Sequence, residues 1–260
     1  MKVFITGASS GIGEAFARHY AARGCELGLH GRRKSVLQSL AADLNVTCSI
    51  YPCDVRDTRA MQAAGDAFMA RHGGIDLVIA NAGVSSGTAT EHPEDDQVFR
   101  EIFDTNVIGM VNTFRPFIPA MRAAGRGQLA GVASVAGFRG LPGASAYSAS
   151  KSAAITYLES LRVEMAASRV KVITLCPGYI DTPMTRHNPY RMPFMLSPQE
   201  AARRMARLIE RNVRFGVTPW QMAAVGIVLR RLPRALYDRL SAKAGRKPRR
   251  AAASIPEIDP

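Results

Sequence analysis

Residues 2–13 read KVFITGASSGIG, an apolar run of strand length, then a glycine-rich turn, then the start of a helical pattern. Gly7, Gly11 and Gly13 are spaced G-x3-G-x-G. A strand feeding a tight glycine turn and a helix lets backbone approach a phosphate closely and aims the free amides of the helix N-terminus at it. The spacing departs from G-x-G-x-x-G, so this stretch alone predicts an anion-binding βα turn and leaves its ligand open.

The alternation continues. ELGLH is the next strand, followed by a helix over residues 34–44; TCSIYPCDV precedes a helix over 57–71, and IDLVIANAG is a strand ending in a loop. One long helical stretch is expected from Asp95 to Ala124, then strands QLAGVAS and VKVITLCPG on either side of a further helix. Continuous apolar strands separated by helices predict a parallel sheet covered on both faces, a single doubly wound α/β domain. In such sheets ligands bind beyond the carboxyl ends of the strands.

Those ends carry the chemistry. After the second strand stands Gly31, with Arg32 and Arg33 following, where a NAD-selective site usually has an acid for the ribose 2′-hydroxyl; guanidinium groups there suit a 2′-phosphate. Asp54 and Val55 end the third strand at a place where adenine could be held, and Asn81-Ala82-Gly83 makes a polar turn after the fourth. Further on, AYSASKSAAI (146–155) sets Tyr147 one helical turn before Lys151 among small residues. A phenol titrates near pH ~10, and a cation about 4 Å away favours phenolate by roughly 4 kcal/mol at an effective dielectric near 20. The pair is therefore expected to bring the tyrosine toward ~7, where acid–base catalysis works well.

Together these residues resemble the classical short-chain dehydrogenase/reductase family over about residues 1–185, with its Rossmann-type fold. Its glycine motif matches Thr6-Gly7-Ala8-Ser9-Ser10-Gly11-Ile12-Gly13, its NAG motif Asn81–Gly83, and its YxxxK motif Tyr147 and Lys151. The catalytic serine falls on Ser134, the helix asparagine on Asn106 in TNVIG, and the PG motif on Pro177-Gly178, with Ile180 and Thr182 following at the nicotinamide end. The resemblance implies NADP-dependent reduction of a carbonyl, or the reverse oxidation of an alcohol, with NAD less suited. Tyr147 would then be the general acid/base, with Lys151 lowering its pKa and binding the ribose. Ser134 would hold the substrate oxygen, and Asn106 a water linking Lys151 to solvent. A catalytically silent NADP-binding sensor or scaffold is the alternative, against which the complete set of four residues argues. The family also implies a homodimer or homotetramer.

Composition sets the surroundings. A hydrophobic fraction of 47% with 21% charged residues suits an ordinary globule rather than a disordered chain. No apolar run approaches the ~20 residues of a membrane span, and MKVFITGASS reaches glycine before a secretion signal could form, so a cytoplasmic chain is expected. Cys25, Cys48, Cys53 and Cys176 read as buried free thiols. Neither they nor His19, His30, His72, His92 and His187 show metal-ligand spacing, so no metal is expected.

Net charge is +13, with much of the excess at the C-terminal end. Residues 1–219 are expected to form the catalytic domain, with a lid over 183–199 whose Met184, Met192, Phe194, Met195 and Leu196 favour a lipophilic substrate. Ser197-Pro198 with Glu200 reads as the N-cap of the next helix. Residues 220–260 form a basic amphipathic extension, broken at Pro233 and carrying five cations within 243–250. Such an element suits peripheral contact with an anionic membrane, an oligomer interface or a cap on the substrate cleft; nucleic acid is disfavoured, since no binding motif accompanies the charge.

Overall fold

A computed structural model describes residues 1–242 and 244–249. Seven parallel strands form one sheet: β1 (Lys2–Thr6), β2 (Glu26–Gly31), β3 (Cys48–Pro52), β4 (Leu77–Ala80), β5 (Gln128–Val132), β6 (Lys171–Pro177) and β7 (Phe215–Thr218). Their spatial order is β3-β2-β1-β4-β5-β6-β7. The order reverses direction between β1 and β4, so the crevice for a ligand opens beyond their carboxyl ends.

Alternation along each strand builds two cores. Val3, Ile5, Leu27, Leu29, Leu77 and Ile79 face one layer, packing with Phe16 and Tyr20 of α1 (Gly11–Ala21), Leu37 and Leu40 of α2 (Lys34–Asp43), and Met205 and Ile209 of α8 (Pro198–Glu210). Phe4, Val78, Leu129 and Val172 face the other. There they meet Phe68 of α3 (Thr58–His72), Phe114 of α5 (Gly109–Phe114) and Leu158 of α7 (Ser145–Glu164). Both faces are covered, which is why these strands are apolar throughout rather than alternating.

The long helix expected over 95–124 is broken. It comprises α4 (Asp96–Phe103), a π-helical turn at Asp104–Ile108, α5, and α6 (Ile118–Ala124). Pro116 lies between α5 and α6, where it can donate no backbone hydrogen bond to continue the helix. β7 was not anticipated: FGVT is four residues long with a glycine inside, too short to show as an apolar run. The N-cap at Ser197 is as read, its Oγ accepting from the Glu200 amide at 3.2 Å with Pro198 opening α8. Of the cysteines, Cys25 and Cys176 are buried, Cys48 and Cys53 half-buried, and all four are free.

The basic segment folds back on the sheet's carboxyl edge as α9 (Trp220–Arg231) and α10 (Arg234–Ser241), parted at Pro233. Arg139 donates to the carbonyls of Leu229 and Leu232 at 2.6 and 2.7 Å, and the Tyr237 hydroxyl donates to the Gly140 carbonyl. Their outer face leaves Trp220, Ile227, Val228 and Leu240 exposed. Of the five cations expected within 243–250, Lys243 and Arg250 lie outside the described residues. Among the described residues, no helix is long and apolar enough to cross a membrane, and no cluster of His, Cys, Asp or Glu could hold a metal ion.

Candidate active site

A cleft of about 330 Å³ runs across the strand ends on both sides of the reversal point. Its floor at one end is the turn from β1 into α1. Thr6 Oγ1 accepts from the amides of Asn81 and Ala82 at 3.1 and 3.3 Å, while Asn81 Nδ2 donates to the Thr6 carbonyl at 3.1 Å, so the glycine turn and the Asn81–Gly83 turn are one unit. A Cβ at Gly13 would lie 2.0 Å from the Gly7 carbonyl oxygen; only glycine lets the helix seat this close. Gly13 thus works from behind the wall, whereas Gly7, Ser9, Ser10, Gly11 and Ile12 line it. Ser10 caps α1 without a side-chain hydrogen bond, leaving first-turn amides free to face an anion.

Arg32 and Arg33 project from the end of β2, both exposed. Arg33 Nη2 donates to the Ser9 carbonyl at 2.9 Å and to Ser9 Oγ at 3.2 Å, which holds a guanidinium against the glycine turn. Asp54 and Val55 form the neighbouring wall. Burial pushes the Asp54 carboxyl up, but hydrogen bonds from Arg56 (Nε at 3.0 Å and Nη2 at 2.7 Å to Oδ2) outweigh it and hold the acid below its usual range. Pro177, Gly178, Ile180 and Thr182 close the opposite side.

At the other end β5 delivers Ser134, and α7 delivers Tyr147 and Lys151. Ser134 is buried, its Oγ accepting from the Ala136 amide at 3.1 Å. Lys151 is 4% exposed, and its ammonium donates to the Val132 carbonyl at 3.0 Å. Burial pushes that ammonium down to about 8. The expected depression of Tyr147 is not found: desolvation pushes the phenol up, Ser134 opposes this by hydrogen bonding, and Cys176 adds to it. Lys151 Nζ lies 5.8 Å from the centre of the tyrosine ring and is held by a carbonyl, so its charge does not offset the phenol's burial.

Asn106 stands apart from these three. It is buried in the π-helical turn, where Oδ1 accepts from the Val84 amide at 2.8 Å and Nδ2 donates to the Val84 carbonyl and Ser150 Oγ, each at 3.0 Å. It pins the turn after β4 to α7 from behind Gly83, which does line the cleft together with Asn81 and Ala82. Sequence reasoning passed over Val84, Thr105, Val132 and Ala133, which line the cleft beside the motifs that were read. His30, one residue before Gly31, is 1% exposed, its ring nitrogens meet no hydrogen-bond partner among the described residues, and burial pushes it down to about 4 against the opposing charge of Asp54.

These features have counterparts in known proteins. The family model for short chain dehydrogenases matches residues 1–191. An uncharacterized oxidoreductase of Myxococcus xanthus is 39% identical over 237 residues, spanning 90% of this chain and 93% of that protein. A short-chain dehydrogenase from Streptomyces avermitilis superposes with a TM-score of 0.75 at 25% identity, covering 87% of this chain and 90% of its own. An alcohol dehydrogenase from Thermococcus sibiricus, solved in complex with 5-hydroxy-NADP, gives 0.73 at 27% identity over 83% of this chain and 94% of its own. With sequence model, relatives and sheet order in agreement, the chain belongs to the short-chain dehydrogenase/reductase family of oxidoreductases.

Proposed function

We propose that the protein is an NADPH-dependent reductase of ketones or aldehydes on a lipophilic substrate, able to run in reverse as an alcohol dehydrogenase. The observation that carries this reading is the convergence of Ser134, Tyr147 and Lys151 at one end of a cleft whose other end is a helix N-terminus with no side-chain capping bond, flanked by two arginines. The donor set fits a phosphorylated dinucleotide: free amides of α1 suit a pyrophosphate, and Arg32 and Arg33 suit a 2′-phosphate. That a similar alcohol dehydrogenase was solved with an NADP analogue supports the same choice.

The nicotinamide, when bound, supplies or accepts the hydride. Lys151, whose ammonium meets the Val132 carbonyl, would hold the nicotinamide ribose. Ser134 holds the substrate oxygen and stabilises the charge that grows on it. Tyr147 Oη gives that oxygen its proton in reduction and removes it in oxidation. Asn106 would hold the water that links Lys151 to solvent, from a side chain fixed by Val84 and Ser150. Met184 at the cleft wall and the exposed Phe194 and Met195 on the same loop offer an apolar surface to the substrate body.

Fluorescence titration with NADPH and NADH tests the cofactor choice. Each charged hydrogen bond to the phosphate contributes about 1.5–3 kcal/mol, so NADPH should bind roughly tenfold to a hundredfold more tightly. Gly31→Asp with Arg32→Ser should reverse the preference; a Cβ at Gly31 meets Ser9 Oγ at 3.3 Å, which that side chain can relieve. Equal affinity of the unaltered protein for both cofactors would sink the proposal.

A further inference from the structure

The C-terminal segment brings one residue back against the Tyr147 ring, beside the cleft rather than in its lining. Residues 244–249 run along the ledge after the Asn81–Gly83 turn, with Gly87 and Arg249 forming a parallel bridge and the Gly87 amide donating to the Pro248 carbonyl at 2.9 Å. A Cβ at Gly87 would fall 2.3 Å from the Lys247 carbonyl oxygen, so the strap lies on bare backbone. Its far end is anchored: Arg249 Nε meets Asp95 Oδ2 at 2.8 Å, and Nη2 meets Glu94 Oε1 at 3.0 Å. Asp95 is 4% exposed, which makes the anchor a firm one.

Two residues before that anchor, Lys247 turns inward. Its ammonium donates to Ser85 Oγ at 2.6 Å and sits 5.5 Å from the centre of the Tyr147 ring, about as far as Lys151 does. Among the described residues no carboxylate lies within ion-pair distance of it, although the neighbouring Arg249 has two. Burial pushes this half-buried ammonium down to about 8, and no acid raises it again. A desolvated, unpaired cation is unfavourable unless an anion joins it. One ammonium beside one hydroxyl matches the single charge and two oxygens of a carboxylate; a phosphate ester would call for more donors.

We propose that Lys247 is a specificity-determining residue of the substrate site, and that the substrate is an oxo acid or hydroxy acid whose carboxylate pairs with Lys247 and Ser85 while its oxygen lies at Tyr147 and Ser134. This rests on the reading of Tyr147 and Ser134 as the oxygen-binding pair. An amphiphilic acid also suits the apolar loop around Met184.

The test uses oxo acids of graded length between carbonyl and carboxylate, each with its methyl ester, in NADPH-dependent turnover by the full chain. At the length that fits, the acid should be favoured over its ester in kcat/KM by about tenfold or more, the order of one charge-assisted hydrogen bond. Lys247→Gln should bring the ratio close to unity, and Lys247→Glu should invert it. A parent that treats acids and esters alike at every length overturns the proposal, as does a ratio that survives Lys247→Gln. A pH profile shifted equally for acid and ester in Lys247→Gln, with the ratio intact, would show that Lys247 acts on the phenol instead, and also overturns it. Thermal shift with NADPH and the same pairs keeps the outcomes separable. If other ketones turn over but neither acid nor ester does at any length, the oxo-acid assignment is overturned; if no ketone turns over, the hydride-transfer reading fails. Lys247 then still stands or falls on whether acids stabilise the parent more than esters do and lose that advantage in Lys247→Gln.

Discussion

The two ends of the cleft are built in opposite ways. The glycine-turn end is made of short connections leaving consecutive strands, each carrying its polar residues within a few positions of the strand that aims them. The Tyr147 end is bordered by pieces far apart in sequence: Arg139 holds the end of α9, Tyr237 reaches Gly140, and Lys247 and Arg249 reach Ser85 and Asp95. Local connections fix a constant ligand within a rigid sheet. Long-range closure lets a substrate pocket be assembled from segments that the sheet does not constrain.

That contrast can be broken from either side. Gly13→Ala should do the most damage, because the added carbon would overlap the Gly7 carbonyl and push α1 off the turn. A loss of about 3 kcal/mol in stability is expected from such overpacking, with NADPH affinity falling in parallel. Denaturant unfolding and cofactor titration of the same variant check both.

Acid should also strike the glycine-turn end. His30 is buried neutral with its folded pKa near 4, against an ordinary 6.5. Between these values the unfolded chain binds the proton and the folded one does not. The stability is therefore fully present above pH 6.5 and is lost as pH falls through 4, by about 3 kcal/mol on this residue's account. His30→Leu should flatten this part of the stability–pH curve; an unchanged slope would mean that the imidazole finds a partner on protonation.

The smallest effect is expected at the other end. Tyr237→Phe removes the hydrogen bond to Gly140 and keeps the ring that Arg139 covers at 4.1 Å. The expected loss is about 1 kcal/mol, or about 2–4 °C in melting temperature, with NADPH affinity unchanged because the side-chain partners of Tyr237 among the described residues, Arg139 and Gly140, lie outside the cleft lining. A matching loss of cofactor affinity would show the two ends to be coupled rather than separate.

The same contrast explains what the sequence made legible. Gly7, Ser9, Arg33 and Asn81 announce themselves because each follows a strand that is itself visible as an apolar run. Tyr147 and Lys151 are legible for a similar reason, being one turn apart on one helix. The titration of Tyr147 was not, since burial and the Val132 carbonyl outweigh the pairing that spacing alone suggests. The helical pattern over 95–124 reads as continuous because the break after Phe103 is set by Asn106's partners Val84 and Ser150, which lie far off in the chain. Nothing near Lys247 in the chain marks it, as its partners lie a hundred residues or more away.

The central claim is that this cleft transfers hydride and that Tyr147 Oη carries the proton. The most direct measurement is NADPH oxidation over a panel of ketones by the unaltered chain and by Tyr147→Phe, with NADPH binding measured on both. The expected result is ketone-dependent oxidation by the parent, lost by at least about a hundredfold in the variant, with NADPH affinity the same in both. NADPH binding without ketone-dependent oxidation in the parent, or substantial turnover by Tyr147→Phe, would contradict it.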